Sequence, residues 1–170
     1  MGNKTVDELR KKTDAAYGNL SRQLAGMDPH LDRSDSPGEW TTRQVLAHLL
    51  MQPGWKVEDA LKSFTDTGTL PLFDLKPGEA IVCPDRKTMT LKQFVDALDA
   101  QRRGTYQYLD TLPEAALQSR KVRIPLFKQF MGTDEISLAM FVGAMYDYHW
   151  NDHAGQLGKI RTAAGLPEAK

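Results

Sequence analysis

The sequence predicts an all-α fold, a four-helix bundle with long crossover connections. Four segments carry apolar residues at helical spacing, and each of the first three opens with a Thr that is followed three residues later by Glu or Gln. Two long connections, roughly 66–89 and 113–132, join the second segment to the third and the third to the fourth. Loops of this length inside a compact domain are more often functional covers than idle links. No repeat or low-complexity tract is found, so we expect one bundle domain over residues 1–170.

The first three helices are predicted from their N-terminal capping boxes, which are Thr5 with Glu8, Thr41 with Gln44 and Thr90 with Gln93. The first helix is predicted over 5–24. The second is predicted over 41–64, and we expect the Pro-Gly pair at 53–54 to kink or break it. The third is predicted to reach Leu112, because the proline that follows stops it. The following connection contains "KVRIPLFKQF", which is expected to form a short extended piece.

The fourth helix is predicted from about residue 133 to Ala164, where Gly165 ends it. Its inward stripe advances by three or four residues at a time through Leu138, Val142, Met145, His149, His153, Gln156 and Ile160. Two imidazoles and an amide therefore share a stripe that apolar residues define. An unpaired polar group at such a position costs a few kcal/mol, so the two rings need a partner, and one shared cation would satisfy both.

Composition argues against several classes of function. The chain has 22 basic and 22 acidic side chains, so it lacks the basic excess that a nucleic-acid-binding surface needs. No apolar run reaches the roughly 18 residues of a membrane span, and the N-terminus lacks the apolar core of a secretory signal. Cys83 is the only cysteine, so no intrachain disulfide can form. We therefore expect a cytoplasmic protein without nucleic-acid or membrane partners.

Three histidines are candidate metal ligands. His149 and His153 are four residues apart, which places their Cβ atoms about 5–6 Å apart on one helix face. This spacing alone is weak evidence, since such pairs occur by chance on many surface helices, and the Glu of an HExxH motif is absent. His48 lies in the apolar stretch "VLAHLL" of the second helix, and bundles build metal sites from inward side chains on facing helices. Together they predict a three-histidine site with an open coordination position. The alternative is that the three rings never meet.

Two stretches resemble the DinB-like (damage-inducible) superfamily of metal-binding four-helix bundles. They are "EWTTRQVLAHLL" in the second predicted helix and "HWNDHAGQLGKI" in the fourth. The resemblance covers most of the chain and implies that His48, His149 and His153 bind one divalent cation. The Pro-Gly pair at 53–54 departs from the family, in which this helix usually continues. The departure affects the pocket above the site.

The resemblance also implies a function. Similar proteins include thiol-dependent transferases, a mycothiol-dependent isomerase and suspected metal hydrolases, so we expect a metal-dependent transferase, isomerase or hydrolase. A low-molecular-weight thiol is then a candidate cofactor, and no catalytic side chain can be assigned from the sequence. The alternative is a metal- or small-molecule-binding stress-response protein without turnover. A homodimer is expected because dimers are common among similar bundles.

The sequence also offers candidates for the metal and for the residues around it. Three imidazoles suit Zn, Ni, Cu or Fe(II), and we expect Zn or Ni. Gln156 lies one turn after His153 and is a candidate to orient a ligand. Further candidates for the pocket or its surroundings are Tyr146, Trp55, Met51 and Asp152, and for each of these the alternative is ordinary packing or solvation.

Overall fold

The long helices form the predicted bundle. The computed structural model describes residues 3–81 and 83–169, and its helices are α1 (Lys4–Leu24), α2 (Thr42–Leu49), α3 (Val57–Lys62), α4 (Pro77–Ile81), α5 (Leu91–Leu109), α6 (Ala116–Ser119), α7 (Lys128–Met131), α8 (Leu138–Val142) and α9 (His149–Ala163). A π-helical stretch, Gly143–Tyr148, joins α8 to α9, so these three pieces form the fourth rod of the bundle. The rods α1, α2, α5 and α8–α9 make the all-α, four-helix bundle that the sequence predicts.

Two of the three predicted capping boxes are confirmed. The Thr41 and Thr90 side chains each accept a hydrogen bond from a backbone N–H three residues on, and the Gln at that position bonds back to the cap. The box predicted at Thr5 is wrong, because Asn3 is the N-cap of α1 and its side chain accepts from the N–H of Val6. Asn is among the strongest N-caps, so the helix begins two residues earlier than Thr5 would allow.

The second helix breaks earlier than predicted. It ends at Leu49, before the Pro-Gly pair, and helical structure resumes only at α3. Among the described residues, Met51 is the one non-glycine residue with a positive φ, at 66°. The Arg86 guanidinium, which comes from the first long connection, donates to the carbonyls of Ala47, Leu50 and Met51. These bonds satisfy carbonyls that a helix C-terminus leaves without partners.

Both long connections contain ordered elements. The extended piece expected in the second connection is confirmed as β1 (Lys121–Arg123), which pairs antiparallel with β2 (Glu135–Ser137). The prediction that the fourth helix begins near residue 133 is wrong, since residues 135–137 pair in the sheet and Ser137 then caps α8 by accepting from the N–H of Met140. The third helix ends at Leu109, three residues before the predicted Leu112.

The core lies between the four rods. Its largest fully buried side chains include Trp150, Tyr106, Tyr146, Phe94 and Phe141. Each such side chain contributes about 1.5–3 kcal/mol by burial. The two buried tyrosine hydroxyls are satisfied by threonines, with oxygen–oxygen distances of 2.6 Å for Thr13–Tyr106 and 2.7 Å for Thr105–Tyr146. Within the described ranges, no helix combines the length and apolar character that a membrane span requires.

Candidate metal centre

Three histidine rings meet where α2 faces α9. Their candidate ligand atoms all lie within 4.8 Å of one another, and the Nε2 atoms of His48 and His149 are 2.8 Å apart. The ring centroids are separated by 4.7–4.8 Å. Nitrogens that each lie about 2.0–2.1 Å from one ion are separated by about 2.9–3.4 Å at octahedral or tetrahedral angles. The cluster is therefore of the size that a single cation requires, with small ring movements.

Hydrogen bonds to the far side of two rings orient them toward the cluster. The Nδ1 atom of His48 is 3.3 Å from the carbonyl oxygen of Pro77, and Nδ1 of His153 is 2.8 Å from Oε1 of Gln156. Both partners accept hydrogen bonds, so each Nδ1 carries the proton and Nε2 keeps its lone pair toward the other rings. Outer partners of this kind fix the tautomer and the direction of metal-binding histidines.

The third ring, His149, has a nitrogen without a regular hydrogen bond. Its Nδ1 is buried and has no partner of good geometry among the described residues. The Met145 carbonyl lies near enough to raise the pKa of His149, against the burial and the neighbouring rings that lower it. His149 follows the π-helical stretch, and its backbone N–H reaches back five residues to Ala144. π-Bulges of this sort often occur at functional sites.

Burial keeps the three rings neutral. Burial, and after it the charge of neighbouring rings, lowers the pKa of His48 to about 4 and that of His149 to about 3. Burial also lowers the pKa of His153. The neutral imidazole is the form that binds metals, so near neutral pH no proton has to be displaced from these rings.

A cleft of about 1080 Å³ opens onto the cluster, and all three histidines line it. The two long connections supply part of its wall, since Leu75 and Pro77 come from the first and the segment 126–131 contributes five residues from the second. The two long connections therefore lie beside the histidine cluster, as expected of loops that cover a site. The rest of the wall comes mainly from the fourth rod, with four residues from α2 and its flanks and two from α1.

The other predicted residues fall into two groups. Gln156 contacts His153, while Met51 and Asp152 line the cleft. Tyr146 and Trp55 are not among the described residues that line it. The Tyr146 hydroxyl bonds to Thr105 inside the core, and Trp55 packs edge-on against Phe73 at 5.2 Å between ring centroids. Packing, the alternative role for these two, is therefore the role that the structure gives them.

Two residues at the site were not predicted. Trp40, just before the cap of α2, lies parallel to the His153 ring at 6.1 Å and against the His48 ring at 4.9 Å between centroids. Its place next to the helix that carries His48 is a signal that could have indicated this. Arg86 holds the end of that helix from a distant loop, and the sequence carries no local signal for the contact.

The fold is shared with a known structure. The chain resembles YfiT from Bacillus subtilis, described as a probable metal-dependent hydrolase with an unusual four-helix bundle topology, at a TM-score of 0.75 and 20% sequence identity. The likeness covers 98% of this chain and 91% of that chain. No protein-family model matches the chain, and a comparison with curated proteins gave no match. At this identity the likeness shows the fold, and it agrees with the fold that the DinB-like resemblance implies.

Proposed function

We propose that this protein is a metal-dependent enzyme in which His48, His149 and His153 hold one divalent cation and leave a coordination position open toward the cleft. The ion is Zn or Ni, which suit three imidazole ligands. The observation that carries the proposal is the close approach of two imidazole nitrogens that no protein group bridges, 2.8 Å apart.

The protonation of the cluster supports a cation. If His149 carries its proton on Nδ1, as His48 does, two Nε2 lone pairs face each other without a hydrogen between them. If the proton is instead on Nε2 of His149, it bonds to His48, but Nδ1 of His149 becomes a buried acceptor without a donor. Each tautomer thus leaves a buried nitrogen unsatisfied, at a cost of about 1–3 kcal/mol. A cation between the rings would accept both Nε2 lone pairs of the first tautomer, and the Nδ1 proton of His149 would then lie near the Met145 carbonyl.

The site has the parts that a hydrolytic or transfer reaction needs. A divalent cation held by three histidines lowers the pKa of water or a thiol toward neutrality and polarises a bound carbonyl. Pro77 and Gln156 hold two of the ligands in place, and Trp40 covers the rings. The cleft gives a substrate access to the cluster along a mainly apolar wall.

Hydrolysis is the reaction class that we favour, because the protein with the same fold is described as a probable metal-dependent hydrolase. Transfer of a low-molecular-weight thiol to an electrophile would use the same site with a different nucleophile. Both reactions therefore belong in one test.

The test compares metal-stripped protein with protein reloaded with Zn(II) or Ni(II). Activated esters and amides report hydrolysis, and electrophiles mixed with low-molecular-weight thiols report transfer. We expect turnover that requires metal and is lost in His149→Ala. His30→Ala is the matched control, because His30 lies in a short 3-10 helix outside the cluster and its loss should leave the rate unchanged. Metal binding without turnover in either panel would favour the alternative, a non-catalytic binding protein.

A further inference from the structure

We infer that the cleft binds the apolar arm of an amphipathic small-molecule substrate whose polar, reactive group lies at the histidines. The inference rests on the proposed function and names the class of substrate that the same site would take. The cleft, at about 1080 Å³, is slightly larger than the range of about 300–1,000 Å³ that is typical of small-molecule pockets. It is much larger than an ester or amide group alone requires, so most of it must receive another part of the substrate.

The wall of the cleft is apolar and adaptable. Four methionines line it, namely Met51, Met131, Met140 and Met145, together with Phe127 and Phe130. Unbranched, polarisable methionine side chains fit apolar ligands of varied shape, so this wall suits a flexible alkyl or acyl chain.

The charge of the wall points the same way. Among the described residues that line the cleft, apart from the histidines, Lys12 is the one cation and Asp152 the one anion. A wall with one charge of each sign offers no cluster of cations to a polyanion such as a nucleotide or a sugar phosphate. The wall therefore does not suit a polyanionic arm and is consistent with an apolar one.

The rim of the cleft carries apolar side chains exposed to solvent. The described part of the chain has four large hydrophobic residues that are exposed, and three of them line the cleft: Phe130 at 69% exposure, Tyr148 at 71% and Met131 at 38%. The fourth, Leu72 at 64%, is not among the lining residues. Exposed apolar groups concentrated around a concave opening indicate that a ligand covers them. Because the opening leads to the histidines, that ligand reaches in from the rim, as a chain does.

The test uses alkyl hydroxamates from acetohydroxamate to dodecanohydroxamate, because the hydroxamate group chelates divalent metals and the alkyl arm varies. Dissociation constants for Zn(II)-loaded protein are measured by calorimetry. We expect affinity to rise about threefold to fourfold for each methylene that enters the cleft, and then to level off. The acetohydroxamate affinity reports the metal centre, whereas the increment per methylene reports the apolar cleft. If the proposed function is wrong, acetohydroxamate does not bind. If this inference is wrong, affinity does not increase with each methylene.

Phe130→Gln and Leu72→Gln form a matched pair, since both side chains are exposed and only Phe130 lines the cleft. We expect Phe130→Gln to weaken the longest hydroxamate about fivefold without affecting the shortest, and Leu72→Gln to change neither. The same increment per methylene in metal-free His149→Ala would support the cleft independently of the metal. An affinity that does not change with chain length would overturn the inference. A second result would also overturn the inference: the protein forms a dimer, Phe130→Gln dissociates it, and hydroxamate affinity does not depend on chain length. The rim would then be an interface between two copies.

Discussion

Replacing Gln156 with Ala is expected to weaken metal binding while leaving the fold intact. The Gln156 Oε1 atom is 2.8 Å from Nδ1 of His153, and this bond directs Nε2 of His153 toward the other two rings. Loss of an outer partner of this kind typically lowers metal affinity by about 10–100-fold, or about 1.4–2.8 kcal/mol. Because Gln156 is half-buried, water can replace part of the lost bond, so we expect an effect of about tenfold.

The assay is competition with a chromophoric chelator, which gives the dissociation constant for Zn(II) or Ni(II). Gln107→Ala is the matched control, since Gln107 is an exposed glutamine on α5, outside the cluster, and its loss should leave the constant unchanged. Gln156→Glu retains an acceptor and should bind the metal within a few-fold of the wild type. If Gln156→Ala binds as tightly as the wild type, the bond does not orient His153 and the reasoning about the outer partners is refuted.

Three further perturbations test the structure around the site. Arg86→Ala should lower the free energy of unfolding by about 1–3 kcal/mol in chemical denaturation, because it uncovers the carbonyls that end α2. It should also weaken metal binding, since His48 lies on the last turn of α2. An unchanged metal affinity would show that this turn keeps its structure without Arg86. Thr41→Ala should lower the free energy of unfolding by about 1 kcal/mol, because it removes the cap of the same helix, and Thr41→Ser should keep most of that stability. Equal melting temperatures for the wild type and both variants would contradict the role of the cap. Metal-free protein should lose stability as the pH falls from 6.5 toward 3, because burial lowers the pKa of His48 and His149 from the ordinary 6.5 to about 4 and about 3. The unfolded chain then binds more protons than the folded one between these pH values, which destabilises the folded state. The loss of stability with falling pH should therefore be smaller in His149→Ala, and the same dependence of stability on pH in both proteins would contradict the burial of that ring.

Two of the three local helix-start signals in the sequence form as predicted, and the third, at Thr5, is replaced by the neighbouring cap Asn3. The boxes at Thr41 and Thr90 depend on residues three positions apart, and both form as predicted. The ends of helices that depend on distant parts of the chain could not be predicted in this way. The fourth rod begins late because β2 pairs with β1, and α2 ends early at a turn that Arg86 stabilises from another loop.

The same distinction applies to the candidate site. His149 and His153 share a face by helical geometry, and His48 stood out because it interrupts an apolar helix, so the meeting of the three rings could be expected. The Pro77 carbonyl and the shape of the cleft depend on the paths of two long loops, which periodicity does not describe. That these rings bind a metal remains a prediction.

The most direct test of the account is the metal content of purified protein, measured by mass spectrometry of the elements after equilibration with Zn(II) or Ni(II) and removal of the excess. We predict one equivalent in the wild type and in His30→Ala. We predict a large loss in His48→Ala, His149→Ala and His153→Ala, provided that circular dichroism shows each to be folded. Equal metal content in all five proteins would show that the three rings do not form the site, and the proposed function would fall with it.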